Sequence, residues 1–140
     1  MDELPVPPLP MREAVGPTDI SAFDNPTGEP VFPSLPSAAY DSVFDFGCGC
    51  GRLARQLIQQ QPRPRSYLGV DLNGPLIEWC TANLSPRAPG FEFRHHDVRY
   101  DGVWNRGEGK PDVLPFPVDD ASQTLVIACS VFTHLIEENA

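Results

Sequence analysis

Three glycines and one acid form the clearest candidate for a ligand-binding site in this sequence. Gly47, Gly49 and Gly51 alternate with two cysteines after an apolar run, and Asp71 lies twenty positions beyond the last of them. Glycine has no Cβ, so the backbone of such a turn can bend sharply and lie close against a ligand. A carboxylate at the end of the following strand suits the two hydroxyl groups of a ribose. Together these residues predict a site for an adenosine-containing cofactor.

The spacing of the glycines separates two classes of cofactor. The dinucleotide pattern G-x-G-x-x-G would place Arg52 where the third glycine belongs. A pyrophosphate also needs free backbone N–H groups at a helix N-terminus. Here the glycines alternate as G-x-G-x-G, and Asp45 lies two residues before the first. A cofactor with an amino-acid tail and no phosphate can place its ammonium group near such an acid, so the spacing favours that class.

Residues 43–52 resemble motif I of the class I S-adenosylmethionine-dependent methyltransferases. The common form of that motif is a hydrophobic pair, Asp, any residue, then Gly-Cys-Gly-x-Gly-Arg, and Cys50 stands where Thr, Ser or Tyr is commoner. Three further segments are similar to the family in the same order: residues 67–73, 91–98 and 116–135. Four segments in the correct order are more specific than one glycine turn. The resemblance covers roughly residues 40 to 140.

The resemblance implies an α/β fold with a Rossmann-like parallel sheet and helices on both faces. It also implies S-adenosyl-L-methionine as cofactor and methyl transfer to an unidentified small-molecule acceptor. Asp71 would bind the ribose hydroxyls, while the Asp97 carboxylate and the backbone N–H of Val98 would form hydrogen bonds with adenine. The predicted cofactor-binding residues are Asp45, Gly47, Cys48, Gly49, Gly51, Asp71, Leu72, Asp97, Val98 and Ser130.

Alternating apolar runs predict the elements that position these residues. Strands are expected at 42–46, 66–71, 90–94 and 123–129, with helices at 51–61 and from the N-cap Asn73 onwards. Right-handed crossovers place the second strand beside the first, with the C-terminal ends at one edge. Ligands of open α/β sheets bind at that edge, where Gly47, Gly49, Asp71, Asp97 and Ser130 are predicted to converge.

The chain divides into a proline-rich leader, residues 1–36, and a cofactor-binding domain, residues 37–140. Nine of the 17 prolines fall in the leader. Members of the resembled family often carry an N-terminal segment over the cofactor, in which case Phe23 and Phe32 would line a pocket. The alternative is a loosely packed tail, and the sequence leaves both open.

Composition excludes several kinds of partner and site. A formal net charge of −9 disfavours a nucleic-acid partner, because phosphate binding needs clustered Lys and Arg. No apolar run reaches the length of a membrane span, and no secretory signal precedes the domain, so a soluble, cytoplasmic protein without membrane contact is expected. The four cysteines form no C-x-x-C pair, which predicts small apolar side chains in a reducing compartment and no metal site.

No catalytic residue can be assigned from the sequence. His96 and His134 lie near the predicted edge, but a structural or surface role is favoured for each. A non-catalytic module that binds S-adenosylmethionine stays open as an alternative. An NAD-dependent oxidoreductase is disfavoured by the glycine spacing.

The number of strands leads to a final expectation. The resembled family has seven strands in the order 3-2-1-4-5-7-6, and this sequence supplies four. It is therefore expected to be the N-terminal fragment of a longer methyltransferase, truncated after strand four. The fourth strand would then be an exposed apolar edge, and self-association through that edge is predicted.

Overall fold

The computed structural model describes residues 3–98 and 114–129. Within them, four parallel strands form one sheet in the order β3-β2-β1-β4. The strands are β1 (Ser42–Phe46), β2 (Ser66–Asp71), β3 (Phe91–His95) and β4 (Leu125–Ile127). The α-helices are α1 (Leu9–Val15), α2 (Arg52–Gln59) and α3 (Gly74–Asn83), with short 3₁₀ helices at Ile20–Phe23, Ser37–Tyr40 and Ser85–Arg87. The predicted Rossmann-like architecture is confirmed.

Most element bounds agree with the sequence, and β4 differs most. β1 and β2 have the predicted bounds, and β3 begins one residue later than expected. β4 is shorter than predicted at both ends and spans Leu125–Ile127. Just before it, Thr124 still bonds to β1: its N–H donates to the carbonyl of Ser42, and its hydroxyl accepts from the N–H of Ser42. α2 starts at Arg52 because Gly51 has a left-handed backbone, with φ of 88°.

The two faces of the sheet have different surroundings. Val43 and Tyr67 lie on the face that packs on α2 and α3, in a core completed by Leu57, Ile77, Cys80 and Leu84. Alternate residues of β1 point to the opposite face. There the Phe44 and Phe46 rings contact the ring of Phe116 at 5.2 and 4.9 Å between centroids. Val126 of β4 lies on this second face and is 63% exposed.

The N-terminal leader packs against α2. Arg55, which is 3% exposed, donates hydrogen bonds to the backbone carbonyls of Leu4, Pro5 and Phe23. Its guanidinium also forms an ion pair with Asp24. A buried cation with several acceptors holds the backbone around it in one arrangement, so Arg55 fastens two separate parts of the leader to the domain.

Membrane-spanning helices and metal-binding clusters are both absent from the described residues. No helix in residues 3–98 and 114–129 combines the length and apolar character that a membrane span needs. The same residues contain no cluster of three or more His, Cys, Asp or Glu that could hold a metal ion.

Candidate functional site

The glycine-rich turn, residues 47–51, follows β1 and lies across the end of β2. The N–H groups of Gly47 and Cys48 both donate to the carbonyl oxygen of Val70, at 2.8 and 3.0 Å. Gly47, Gly49 and Gly51 all have positive φ, at 82°, 57° and 88°. Side-chain-bearing residues adopt this region at a cost, so the backbone of the turn itself requires the three glycines.

Asp71 at the end of β2 is bound to this turn. Its Oδ2 accepts a hydrogen bond from the N–H of Gly49 at 2.9 Å, and its Oδ1 accepts one from the N–H of Asn73 at 2.8 Å. Burial raises the pKa of the Asp71 carboxyl, and these N–H groups oppose that rise. Each carboxylate oxygen has two lone pairs. Asp71 can therefore hold the turn and still accept bonds from the hydroxyls of a ligand.

The chain after β3 arrives at the same edge of the sheet. The N–H of His96 donates to the carbonyl of Asp71 at 2.9 Å, so the segment runs alongside the end of β2. Asp97 follows it with a side chain that is 49% exposed. The N–H of Val98 donates to the carbonyl of His96 at 2.9 Å in a tight turn. The predicted adenine-side residues thus lie beside the acid predicted to hold ribose.

Asp45 occupies a different environment from the other acids. It is 1% exposed, and its Oδ2 accepts a hydrogen bond from the Tyr67 hydroxyl at 2.6 Å. Its Oδ1 is buried and has no hydrogen-bond partner among the described residues. Burial raises the pKa of the Asp45 carboxyl to about 6, while the Tyr67 hydrogen bond acts in the opposite direction.

A family model described as a methyltransferase domain matches residues 43–140, well over half of the chain. The chain belongs to this family. Its members transfer methyl groups, and the sheet order and the glycine turn found here fit a class I domain of that kind. No solved structure matches the chain.

Ten residues are predicted to bind the cofactor of this methyltransferase domain, and nine of them lie within the described residues. Asp45 lies in β1, and the other eight lie in the glycine turn, at the end of β2 and after β3. Ser130 lies outside the described residues, as does His134.

His95 is a residue of this edge that the sequence analysis did not single out. Its ring Nε2 is 2.8 Å from the carbonyl oxygen of Leu72 and 3.8 Å from Oδ1 of Asp97. The parallel register pairs His95 with Asp71, which is the signal that could have revealed it. The side chain links the loop before α3 to the segment after β3, so it positions two of the predicted binding segments.

His96, in contrast, is a packing residue of this methyltransferase domain. Its ring lies 5.2 Å from the ring of Phe116 and 6.3 Å from that of Phe46, between centroids. Burial lowers the pKa of His96, and the nearby His95 acts in the same direction. The neutral form is therefore favoured, as expected for a structural histidine.

The cysteines near the glycine turn are free thiols that fill space. The sulfurs of Cys48 and Cys80 lie 3.8 and 3.7 Å from the carbonyl oxygen of Gly49. Burial raises the pKa of both thiols well above its usual value. They pack as small apolar groups. Cys129 is the exposed cysteine, and its sulfur accepts a hydrogen bond from Arg52.

The leader reaches the glycine turn through α1. Val15 Cγ1 lies only 2.8 Å from the position that a Cβ on Gly49 would occupy. Val15 and Met11 pack with Phe23, Cys50 and Leu76 in a second apolar cluster. The turn is thus bounded by β2 on one side and by α1 on another.

Proposed function

We propose that this methyltransferase domain binds S-adenosyl-L-methionine at the C-terminal edge of β1, β2 and β3, and that its methyl acceptor is a small molecule. The observation that carries the proposal is the hydrogen bond between Asp71 and the N–H of Gly49. It places an acid with spare lone pairs directly beside a glycine turn that brings backbone close to a ligand. That combination suits a ribose joined to an adenine.

The other residues of the edge fit the remaining parts of this cofactor. Asp97 is half-exposed and carries the carboxylate that an adenine amino group can donate to. Asp45 carries a buried oxygen without a partner among the described residues. Such an oxygen needs a donor, and the ammonium group of an amino-acid tail is one. The donor set therefore fits both ends of the cofactor.

When bound, S-adenosyl-L-methionine supplies the sulfonium methyl group that a nucleophile displaces. The task left to the chain is to orient donor and acceptor and to exclude water. Asp71 and the glycine turn hold the nucleoside, and α1 lies against the turn at Val15. No general base is assigned. The net charge of −9 supports an acceptor other than nucleic acid.

The test is calorimetric titration of the chain with S-adenosylhomocysteine, with NADH titrated in parallel. We expect S-adenosylhomocysteine to bind and NADH not to bind. Binding of NADH alone would overturn the proposal in favour of a dinucleotide enzyme. Release of S-adenosylhomocysteine from S-adenosyl-L-methionine over a panel of hydroxylated small molecules then separates an enzyme from a non-catalytic module. The cytoplasmic location stays a prediction.

A further inference from the structure

Asp45 and Tyr67 form a buried polar pair inside an otherwise apolar layer. In the β1–β2 register, Tyr67 lies opposite Val43 and Gly69 lies opposite Asp45. The Tyr67 hydroxyl therefore extends beyond Val43, which is paired with Tyr67, to Asp45, the next residue of β1 on the same face. Gly69 makes this possible, because a Cβ there would lie 2.9 Å from the hydroxyl. The Tyr67 ring is stacked on Phe91 at 4.9 Å, so the hydroxyl is held in place.

The pair leaves the two oxygens of Asp45 unequal. Oδ2 is 2.6 Å from the Tyr67 hydroxyl, and Oδ1 has no partner among the described residues. A buried carboxylate oxygen without a donor is costly. A buried charge is destabilising unless an opposite charge compensates it, and carboxyl groups with a perturbed pKa cluster at functional sites. The bond to Oδ2 fixes the side chain and leaves Oδ1 as the oxygen that still lacks a donor among the described residues.

Charged and titratable groups approach Asp45 from each surrounding element. The charge of Asp71 in β2 raises the pKa of Asp45, and the charge of Arg52 in α2 lowers it. The charge of Asp45 in turn raises the pKa of the Cys48 and Cys80 thiols. The hydrogen bond of Arg52 goes to the sulfur of Cys129. Among the described residues no cation donates a hydrogen bond to Oδ1, and the negative charge of Asp71 adds to that of Asp45 around it.

We propose that Tyr67 is a positioning residue that holds Asp45 so that its Oδ1 receives the ammonium group of the cofactor's amino-acid tail. This inference rests on the proposed function and extends it to selectivity. The pair would favour nucleosides that carry an amino-acid tail over nucleosides that lack one. It acts on the tail alone, since the ribose acid is Asp71.

The pair also predicts how affinity depends on pH. Only the ionised carboxylate attracts an ammonium group, and burial raises the pKa of Asp45 to about 6. Affinity for a tail-bearing nucleoside should therefore fall below pH 6, by up to about tenfold for each pH unit. Loss of the Tyr67 hydrogen bond, which opposes that rise, should move the midpoint to higher pH.

The experiment is calorimetric titration between pH 5 and 8 with S-adenosylhomocysteine and with 5′-methylthioadenosine, which lacks the tail. Tyr67→Phe keeps the stacked ring, and Tyr40→Phe removes another buried, hydrogen-bonded hydroxyl as a control. Tyr67→Phe should weaken S-adenosylhomocysteine by about tenfold at pH 7, raise its midpoint and leave methylthioadenosine within about twofold. Tyr40→Phe should change neither ligand.

Three results would overturn the inference. Equal weakening of both nucleosides in Tyr67→Phe would assign the hydroxyl to packing alone. An unchanged midpoint in that variant would remove its link to Asp45. In the wild-type chain, a ratio of the affinities for S-adenosylhomocysteine and methylthioadenosine that does not vary with pH would also overturn the inference. In these three cases the wild type still binds both nucleosides, whereas a wild type that binds neither overturns the proposed function as well.

Discussion

The carboxylate of Asp71 and the backbone N–H of Gly49 are joined by a hydrogen bond of 2.9 Å. The acid at the end of β2 therefore helps to hold a turn that begins after β1. A residue proposed to bind the cofactor is at the same time part of the support of the glycine turn. Binding and stability should respond together when it is changed.

Asp71→Asn is expected to weaken binding of S-adenosylhomocysteine by about 1.5–3 kcal/mol, because the amide would lose the charged bonds that we propose Asp71 makes to both ribose hydroxyls. Calorimetry at pH 7 measures the change. Asp41→Asn is the matched control, because Asp41 is an exposed acid just before the N-terminal end of β1, at the end of the sheet away from the proposed site. Unchanged affinity in Asp71→Asn would remove Asp71 from the site.

Gly49→Ala should destabilise the fold for two separable reasons. A φ of 57° costs a residue with a Cβ about 1 kcal/mol, and the new methyl group would meet Val15 Cγ1 at 2.8 Å. Adding Val15→Ala removes the contact and leaves the backbone cost. Urea unfolding of the two single variants and the double variant should show a favourable coupling energy. Simple additivity would mean that α1 does not lie against the turn in solution.

Asp45→Asn is expected to stabilise the fold near neutral pH. The folded-state pKa of Asp45 is raised to about 6 from its usual 3.8. The folded state therefore binds more protons than the unfolded state between these values, and wild-type stability falls as pH rises through this window. The advantage of Asp45→Asn should grow from pH 4 to pH 6 and then level off, reaching about 3 kcal/mol. Thermal unfolding against pH measures it, and a constant difference at every pH would contradict the buried carboxyl.

Arg55→Met should release the leader from α2. The change removes a buried cation, leaves three carbonyls without that donor and leaves Asp24 with the Gln59 amide as its remaining one, at a cost of about 3 kcal/mol. Thermolysin should then cleave the leader faster than in the wild type. Arg63→Met is the control, because Arg63 is exposed and its hydrogen bond goes to Ile58, close by in the chain. Equal cleavage rates in the two variants would show that Arg55 does not hold the leader.

Self-association through β4 is a further proposal. In the described part of the chain β4 pairs with β1 alone, and Val126 is 63% exposed. Edges of this kind are relieved by pairing with another chain. Light scattering should show a dimer or larger assembly that Val126→Lys weakens. A monodisperse monomer at high concentration would contradict the proposal.

The sheet and the glycine turn could be predicted because their signals are local. The apolar runs of β1 and β2 are bounded by turn residues, and right-handed crossovers then determine their order. The positive φ values of Gly47, Gly49 and Gly51 follow from the spacing of residues without a Cβ. The ligand roles assigned to these residues stay predictions.

The contacts of Tyr67 and Arg55 could not be predicted because they depend on distant parts of the chain. Tyr67 reads as an ordinary strand aromatic, and its reach to Asp45 depends on the β1–β2 register and on Gly69. Arg55 reads as a surface residue of an amphipathic helix. Its partners lie 31 to 51 positions earlier in a proline-rich segment without periodicity.

The separation between Arg55 and its partners has a consequence for synthesis of the chain on the ribosome. Leu4 and Pro5 precede Arg55 by 51 and 50 residues. At about 5–20 residues per second, the leader emerges several seconds before the side chain that receives it. Proline favours an extended, hydrated backbone without internal hydrogen bonds. The nascent leader is therefore expected to stay extended until α2 has been translated and Arg55 can bind its carbonyl groups.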